Sequence, residues 1–450
     1  MKVTFMAFPM ILASSQDMPS MNIAPRPAIY LLAAVLINAG HDVNVVDPLQ
    51  ISQELKDKNL KQILISHLFE SDIVCISSNT IDWPSTVVAI KYIREIYSSR
   101  IMIVLGGIHP TYFYKYIMKT HDVDFILRGD GELGLPKLIK AIENNNGYDI
   151  IQGLVQKGCI LPHEEKLHQI TPIDFHSIPL PAFELLPKNV YSVLPIETSR
   201  GCKFNCAFCS VPYRNSWMPF NEDDVINKCS KVIEDFGMLF ITKQVFITDD
   251  CLTADFSRAA FILSSLICRH PEHRFIVETR ITDWITPKRE ELVSVFKHTN
   301  IMRLAFGIEC GYNIGLKHLS KALTIEEIEQ VLCFLEEHSL MRKSFFSFII
   351  GFPWESVDDC VQTIDYAASI ASRFGSDLVN INWLEVFPSR IWNDRETYNI
   401  KADAAVFDTH VPFKNLNFHL FHPNIDESAK GYIENTIETY ENKGIFLRTH

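Results

Sequence analysis

The chain has 450 residues, of which 47% are hydrophobic and 21% are charged, and this balance excludes a mostly disordered protein. Lysine and arginine number 42 against 54 aspartate and glutamate residues, so the net charge is −12, and nucleic acid is not an expected partner. No apolar run approaches the roughly 20 residues that a bilayer span needs, so no membrane span is expected.

The first residues of the chain have two interpretations. Lys2 and the apolar stretch up to Ala13 imitate a secretory signal, but Pro9 interrupts it, and Val3–Phe8 is better interpreted as a buried strand. The 11 cysteines are too sparse for a disulfide scaffold. A cluster of reduced thiols later in the chain fits a reducing compartment, so a cytoplasmic location is expected.

Residues 1–146 alternate short apolar segments with longer helical patterns. The candidate strands are Val3–Phe8, Val43–Val46, Ile73–Ser77, Ile101–Leu105 and Phe125–Leu127. The candidate helices are Pro27–Asn38, Pro84–Tyr97, Pro110–Thr120 and Leu133–Glu143. This alternation predicts an α/β domain with a doubly wound, Rossmann-like parallel sheet.

Small and glycine residues follow three of these strands, in Ser77–Thr80, Gly106–Pro110 and Arg128–Glu132. Ordinary turn chemistry explains any one such loop. Ligands of doubly wound sheets bind beyond the carboxyl ends of the strands, and glycine lets the backbone approach them closely. Three loops at one edge therefore favour a ligand cleft.

Residues 147–194 are predicted to be a proline-rich connector with a small hairpin at Gly153–Ile160. A second alternation fills residues 195–390. Its candidate strands are Pro195–Thr198, Gln244–Thr248, Arg274–Thr279, Arg303–Ile308, Lys343–Ile350 and Val379–Val386. Helical patterns between them predict a partial (β/α)6 barrel of the TIM type, with its chemistry at the carboxyl ends of the strands. Residues 391–450 are predicted to be a small C-terminal capping region.

Three cysteines stand directly after the first strand of the second alternation, at Cys202, Cys206 and Cys209, with the spacing C-x3-C-x2-C. A closed zinc site needs four protein ligands, and no fourth one lies nearby. An iron–sulfur cube held by three thiolates leaves one iron open for a ligand that is not protein. Zinc with a distant fourth ligand such as Cys229, and unligated core cysteines, are the alternatives.

The cysteine spacing resembles the signature of the radical S-adenosylmethionine (SAM) superfamily. Over residues 1–390, the layout resembles the cobalamin-binding, methyltransferase-like branch of that superfamily. The segments that carry the resemblance are Gly106–Pro110, Arg128–Glu132, Ile173–Pro179, Ile247–Asp250, Glu278–Arg280, Phe306–Gly311, Leu319–Ala322, Gly351–Glu355 and Phe387–Arg390.

The resemblance implies three cofactors: a 4Fe-4S cluster, SAM and cobalamin. It implies that Cys202, Cys206 and Cys209 bind three irons and that SAM binds the fourth. The implied SAM contacts are Phe208, Asp249, Asp250, Glu278, Arg280 and Glu309. The implied cobalamin contacts are Ser77, Ser78, Asn79, Thr80, Gly106, Gly107, His109, Gly129, Asp130, Gly131 and Glu132. No side chain is assigned as a catalytic residue.

The implied reaction begins when an electron donor such as flavodoxin or ferredoxin reduces the cluster, which cleaves SAM to a 5′-deoxyadenosyl radical. The implied outcome is methylation of an unactivated carbon in a small-molecule or natural-product substrate. A non-methylating cyclase or rearrangement enzyme with the same cofactors is one alternative, and a non-catalytic metal- or cobalamin-binding module is another. A tRNA-modifying enzyme is disfavoured by the acidic charge and by the lack of a basic RNA-binding domain.

Three features depart from the family's pattern. The D-x-H-x-x-G motif is absent from the first domain, and Asp174–His176 lacks the glycine, so no histidine is expected as the lower ligand of cobalamin. Cys310 replaces a serine and Ser389–Arg390 replaces a glycine–threonine pair, and both changes are expected to alter the substrate or SAM pocket. Cys251 follows the acidic strand end, where a lone thiol is more often structural.

Overall fold

The structure is a computed structural model that describes residues 1–10, 24–159, 174–188, 190–410, 418–445 and 447–449. The first of its two compact units comprises Met1–Pro195, Lys231–Lys243 and Asp403–Pro412. The second comprises Ile196–Ser230, Gln244–Ala402 and Phe413–His450. The domain boundaries given above stay a prediction, although the main division falls close to residue 194. Part of the expected C-terminal cap clusters with the first unit.

The first unit is built on a six-stranded sheet with the order β2-β1-β3-β4-β5-β6. Its strands are β1 (Lys2–Met6), β2 (Asp42–Val46), β3 (Ile73–Ser77), β4 (Met102–Gly106), β5 (Phe125–Leu127) and β6 (Leu154–Gln156). The first five are parallel, and β6 joins β5 antiparallel as an edge strand. The predicted doubly wound sheet is confirmed. The hairpin expected at residues 153–160 is instead this edge strand, and Ile160 lies outside the described residues.

Helices cover this sheet because each carries an apolar face and each connection is long enough for a crossover. They are α1 (Pro27–Asn38), α2 (Pro48–Glu54), α3 (Leu60–Leu68), α4 (Trp83–Tyr97), α5 (Ile108–Thr120) and α6 (Gly134–Asn144). The sequence pattern missed α2 and α3. Polar caps begin both of them: the Asp47 carboxylate accepts from the Leu49 N–H, and Asn59 forms a capping box with Gln62.

The second sheet has the order β15-β14-β13-β12-β11-β10-β7. Its strands are β7 (Val193–Ile196), β10 (Gln244–Ile247), β11 (Arg274–Thr279), β12 (Ile301–Glu309), β13 (Ser344–Ile350), β14 (Val379–Trp383) and β15 (Arg448–Thr449). A separate antiparallel hairpin joins β8 (Ser199–Cys202) to β9 (Ser216–Pro219). The six strands predicted for the barrel are present, and β15 adds a seventh, so the open parallel α/β architecture is confirmed.

The remaining helices are α7 (Glu222–Phe236), α8 (Phe256–Arg269), α9 (Glu290–Lys297), α10 (Asn313–His318), α11 (Ile325–Glu337), α12 (Val357–Phe374), α13 (Arg390–Asn393), α14 (Phe418–Phe421) and α15 (Glu427–Asn442). Among the described residues, none of the helices combines the length and apolarity needed to cross a bilayer.

The strands of the second sheet differ in burial between their two faces. On β11, Phe275 and Val277 are buried, whereas Ile276 and Glu278 remain accessible. The same alternation continues on β12 and β13, where Phe306 and Phe346 are buried and their alternate neighbours are half-buried. Because side chains alternate between the faces of a strand, β11, β12 and β13 have one face that is more accessible than the other. This face is the interior of the partial barrel.

Candidate active site

The cysteine loop begins at the last residue of β8 and is closed by the β8–β9 hairpin. The Cys202 N–H donates to the Tyr213 carbonyl at 3.2 Å. Cys202 and Cys206 are buried, and Cys209 is half-buried. The hairpin therefore holds the three thiols within one short, braced loop.

Two distant segments fix the middle of this loop through its backbone. The Ala207 N–H donates to the Leu319 carbonyl at 3.0 Å, and the Ala207 carbonyl accepts from the Ile391 N–H at 3.1 Å. Next to these anchors, the Arg390 guanidinium donates to the Ser320 hydroxyl at 2.9 Å. The Ser389–Arg390 departure thus lies in the scaffold that supports the cysteine loop.

Arg280, directly after β11, meets the cysteine loop. Its Nη1 donates to the Cys206 Sγ at 3.2 Å, and its guanidinium lies 3.8 Å from the centroid of the Phe204 ring. Its Nη2 is buried and has no hydrogen-bond partner among the described residues. A buried guanidinium N–H without an acceptor is costly, so the arrangement fits a loop that holds a further negatively charged group.

The three thiols have different environments. A hydrogen bond from the Cys251 thiol lowers the pKa of Cys202 to about 7, and burial raises the pKa of Cys209 to about 11. Cys229 donates instead to the Glu197 carbonyl at 3.8 Å. The fourth zinc ligand considered above therefore points to the backbone, whereas the lone thiol of Cys251 does reach the loop.

The paired aspartates after β10 have different surroundings. Asp249 is 2% exposed, and its carboxylate accepts from the Thr198 N–H at 2.6 Å and from the Thr198 and Ser199 hydroxyls at 2.5 Å. Asp250 is exposed, and desolvation in the cleft together with repulsion from Asp249, Glu197 and Glu278 raises its pKa to about 6. Asp249 thus supports the strand that leads to Cys202, and Asp250 is available to a ligand.

The two glutamates predicted to contact SAM divide in the same way. Glu278 lies on the open face of β11, where desolvation and the nearby Glu309 carboxylate raise its pKa. Glu309 is buried at the end of β12 and pairs with the Lys321 ammonium at 3.5 Å. Lys321 also donates to the Gly307 carbonyl at 2.8 Å, so the pair fastens the loop after α10 to β12.

Phe208 and Cys310 have opposite surroundings. Phe208 is half-buried, with its ring 6.2 Å from that of Phe352. Cys310 is fully buried, and its Sγ donates to the Tyr312 carbonyl at 3.6 Å and accepts from the Thr363 hydroxyl at 4.0 Å. The Cys310 side chain therefore packs toward α12, and its expected effect on the substrate or SAM pocket stays a prediction.

In the first unit, the loops after β3 and β4 contact each other through their backbones. The Ser78 N–H donates to the Gly106 carbonyl at 3.0 Å, and the His109 N–H donates to the Ser78 carbonyl at 3.3 Å. Gly107 has φ +96°, and a Cβ there would lie 2.5 Å from the Ser78 oxygen. Glycine is therefore required for this close crossing.

Two charged residues hold the loop that contains Ser77, Ser78, Asn79 and Thr80. The buried Asp82 carboxylate accepts from the Ser78 hydroxyl at 2.7 Å and from the Asn79 N–H at 3.0 Å, and it forms an ion pair with Arg26. Arg26 also donates to the Ser77 carbonyl at 3.2 Å. Neither Arg26 nor Asp82 was predicted, because only the folded chain brings them together.

His109 is fully buried beside this loop. Its Nδ1 is 3.1 Å from the Thr80 hydroxyl, and its ring stacks on Trp83 with a centroid distance of 4.5 Å. Burial lowers its pKa to about 3, so the imidazole is neutral. In this position both the ring and the backbone N–H of His109 contact the loop after β3.

The third predicted loop follows β5. Gly129 has φ +78°, and its N–H donates to the Thr111 hydroxyl at 3.2 Å, which joins this loop to α5. Asp130, Gly131 and Glu132 are half-buried. Since β3, β4 and β5 are adjacent and parallel, all three loops lie at one edge of the sheet.

Comparison with known families assigns a family to each half of the chain. The B12 binding domain family matches residues 21–139, and the radical SAM superfamily matches residues 196–367. The chain thus contains a B12-binding domain and a radical SAM domain, as the sequence predicted. It is therefore an enzyme of this superfamily, and the non-catalytic alternative is not supported.

Two curated relatives illustrate the range of the match. An uncharacterized methyltransferase of Pyrococcus horikoshii is 26% identical over 346 residues, which cover 75% of this chain and 72% of that protein. An anaerobic magnesium-protoporphyrin IX monomethyl ester cyclase of Rubrivivax gelatinosus is 26% identical over 334 residues, which cover 71% of this chain but 56% of the cyclase.

Two solved structures share the fold. The radical SAM methyltransferase TsrM from Kitasatospora setae, with cobalamin and a 4Fe-4S cluster bound, has a TM-score of 0.69 and 15% identity, covering 100% of this chain and 93% of TsrM. The cobalamin-dependent radical SAM enzyme OxsB, with aqua-cobalamin and SAM bound, has a TM-score of 0.65 and 17% identity, covering 88% of this chain and 56% of OxsB.

Lys321 is a residue of the radical SAM domain that sequence reasoning did not select. Ser320 and Ala322 on either side of it have φ +56° and +52°, in the left-handed region that residues other than glycine rarely adopt. Such local strain is often retained at functional sites. The Leu319–Ala322 segment carries part of the family resemblance, but the pairing of Lys321 with Glu309 is visible only in the folded chain.

Proposed function

We propose that this radical SAM enzyme is a cobalamin-dependent methyltransferase that methylates an unactivated carbon of a small-molecule or natural-product substrate. The observation that carries the proposal is the braced loop of three thiols, to which Arg280 donates a hydrogen bond from the carboxyl end of β11. The neighbouring strands have one accessible face beside this loop. The methyltransferase names of a curated relative and of TsrM support it.

In this proposal Cys202, Cys206 and Cys209 hold a 4Fe-4S cluster, and the presence of a 4Fe-4S cluster in TsrM supports this assignment. When bound, the cluster and SAM supply a carbon radical, and cobalamin supplies the methyl group. The residues fit the cluster, because three soft thiolates in one loop suit iron–sulfur ligation and Arg280 offers a cation to their negative charge.

The candidate contacts for SAM are the accessible groups around the loop: Phe208, Asp250, Glu278 and Arg280. Carboxylates on the open face attract the ammonium and sulfonium charges of SAM, and the buried guanidinium nitrogen of Arg280 suits its carboxylate. Asp249 and Glu309 support the site without contacting SAM in this proposal, because their carboxylates already bind protein groups.

Cobalamin is assigned to the edge of the first sheet where the loops after β3, β4 and β5 lie. Gly107 allows the loop after β4 to cross the loop after β3 closely, and the hydrogen bonds of the Ser78 and His109 backbones hold these two loops together at that edge. Because the His109 ring is buried and bonded to Thr80, we assign it no ligand role.

The test is anaerobic reconstitution of the full chain with iron, sulfide and cobalamin, followed by reduction in the presence of SAM. The proposal predicts reductant-dependent 5′-deoxyadenosine together with S-adenosylhomocysteine once a methyl acceptor is supplied. Cys206→Ala abolishes cluster assembly and SAM cleavage. Cys333→Ala, which removes an exposed thiol on α11, leaves both unchanged. Full iron content and SAM cleavage in Cys206→Ala contradict the proposal.

A second candidate is a non-methylating cyclase with the same cofactors, which three cyclase relatives with 23–26% identity favour. The products separate the two functions. A cyclase forms 5′-deoxyadenosine without S-adenosylhomocysteine, whereas methylation forms both.

We also propose that a flavodoxin or ferredoxin donates the electron and that the enzyme works in the cytoplasm, where all 11 free thiols stay reduced. Reconstitution with purified flavodoxin and its reductase tests the electron donor. SAM cleavage that a chemical reductant supports but reduced flavodoxin and ferredoxin do not contradicts this part of the proposal.

A further inference from the structure

A second cluster of metal-ligating side chains lies in the turn between α8 and β11. His270, Glu272 and His273 each place one ligand atom within 4.8 Å of the others. The His273 Nδ1 is 3.0 Å from a Glu272 carboxylate oxygen, and the two imidazole rings are 6.0 Å apart. Two imidazoles and a carboxylate form a ligand set typical of zinc and related divalent ions.

The turn is built as a rigid platform. The His273 N–H donates to the His270 carbonyl at 3.0 Å. The Asn300 side-chain amide donates to the Pro271 and His273 carbonyls at 2.7 and 2.6 Å, and the Asn300 carbonyl accepts from the Phe275 N–H at 2.7 Å. A preorganised backbone lowers the entropy lost when a metal orders the three side chains.

The surroundings favour a cation and allow it to enter. His270 follows α8 directly, so the negative end of the helix dipole lies beside the cluster. His270 and His273 are 4% and 7% exposed, whereas Glu272 is exposed. The imidazoles are therefore held inside the fold and the carboxylate faces the solvent, from which an ion enters.

This cluster is separate from the cysteine loop. It precedes β11, and Arg280 follows the same strand, so the strand's length of about 20 Å separates them. The ligands also differ in kind, because the loop offers thiols and the turn offers imidazoles and a carboxylate.

We propose that His270, Glu272 and His273 bind one divalent transition ion of the zinc class and that the ion joins the end of α8 to the start of β11. Two ligands of a tetrahedral zinc lie about 3.3 Å apart, from bond lengths of about 2.0–2.1 Å. The His273–Glu272 pair is close to this spacing, and the His270 ligand atom lies within 4.8 Å of both. This inference does not depend on the proposed reaction.

The experiment uses the full chain with its cluster reconstituted, so that the cysteine loop is occupied. Zinc uptake is measured by equilibrium dialysis and elemental analysis. We expect one zinc per chain and a higher melting temperature with zinc. Glu272→Gln and His273→Ala each weaken zinc binding at least about tenfold, since even the loss of an outer contact costs that much.

His298→Ala is the matched control, because His298 is an exposed histidine that lies close to the platform but outside the cluster. We expect the zinc uptake of this variant to equal that of the unchanged chain. Glu272→Gln keeps the test valid if His273→Ala does not fold, since Glu272 is exposed. X-ray absorption at the zinc edge is expected to show nitrogen and oxygen ligands. Absence of uptake, equal uptake by Glu272→Gln, or sulfur ligands would each overturn the proposal.

Discussion

Replacing Asp249 tests whether its carboxylate supports the cysteine loop or contacts SAM. In Asp249→Ala, the Thr198 N–H and the two hydroxyls lose the carboxylate that accepts from all three. Arg258, which is 5% exposed and donates to the Thr198 carbonyl at 2.6 Å, loses the nearby negative charge. The strand that leads to Cys202 then loses its buried carboxylate anchor and keeps its backbone pairing with β9 and the Arg258 contact to the Thr198 carbonyl.

The magnitude follows from these contacts. Hydrogen bonds to a charged group contribute about 1.5–3 kcal/mol each and are not additive, and removing one partner of a buried charge pair costs about 3–5 kcal/mol. We expect Asp249→Ala to lower the free energy of unfolding of the second unit by about 3–5 kcal/mol. For a unit of this size, each kcal/mol lowers the melting temperature by about 2–4 °C, so the decrease is at least about 6 °C.

The assay combines calorimetry of the cluster-free chain, iron content after reconstitution, and SAM binding by equilibrium dialysis. Asp249→Ala melts at lower temperature and retains little iron. Asp250→Asn is the control: its side chain is exposed, so it melts within about 2 °C of the unchanged chain, retains iron and binds SAM more weakly. If Asp249→Ala instead melts normally, keeps its iron and loses SAM affinity, Asp249 contacts SAM and our assignment is wrong.

Three further predictions concern charge. Arg280→Met removes the donor to Cys206, and we expect the midpoint potential of the cluster to fall by about 50–100 mV, as measured by redox titration with electron paramagnetic resonance. Arg280→Lys keeps a positive charge, so its midpoint potential falls less. An unchanged midpoint potential in Arg280→Met contradicts this prediction. Because the pKa of Asp250 is about 6, SAM affinity rises as the pH rises through 6 and the carboxylate ionises, and this rise is absent in Asp250→Asn. Burial lowers the pKa of His109 from 6.5 to about 3, so between these pH values the unfolded chain binds a proton that the folded chain excludes. The free energy of unfolding therefore falls by up to about 1.4 kcal/mol per pH unit as the pH drops from 6.5 toward 3. Denaturant titrations at several pH values show a flatter profile for His109→Gln, and parallel profiles contradict this account.

The strands were predictable because buried parallel strands appear in the sequence as short apolar runs. Arg274–Thr279 matches β11 at both ends, and Gln244–Thr248 differs from β10 by one residue. The cysteine spacing likewise indicated the loop that carries the chemistry. These features are local in sequence, so each segment contains its own signal.

The supporting contacts could not be predicted in the same way. Asp249 and Asp250 are adjacent carboxylates at one strand end, and nothing in the sequence indicates which of them turns inward to Thr198. The Asp408 carboxylate accepts from the Trp83 indole at 2.8 Å and from the Tyr116 hydroxyl at 2.6 Å, across some 300 positions of the chain. Pairings of this kind depend on topology, and the segment around Asp408 has no periodicity to reveal them.

The division between buried and exposed carboxylates has a chemical consequence in this acidic protein. Desolvation, together with repulsion from neighbouring carboxylates, raises the pKa values of Asp250 and Glu278, so keeping negative charge in the cleft costs free energy. A ligand that brings a sulfonium and an ammonium relieves that repulsion, whereas a neutral ligand does not. Arg280 donates to Cys206 and so places a positive charge beside the thiols, whereas the Lys321 ammonium is paired with the Glu309 carboxylate. Asp250 and Arg280 therefore both lie close enough to the thiols to shift their pKa values, and we expect the accessible carboxylates to favour a cationic cofactor such as SAM over uncharged adenosine compounds.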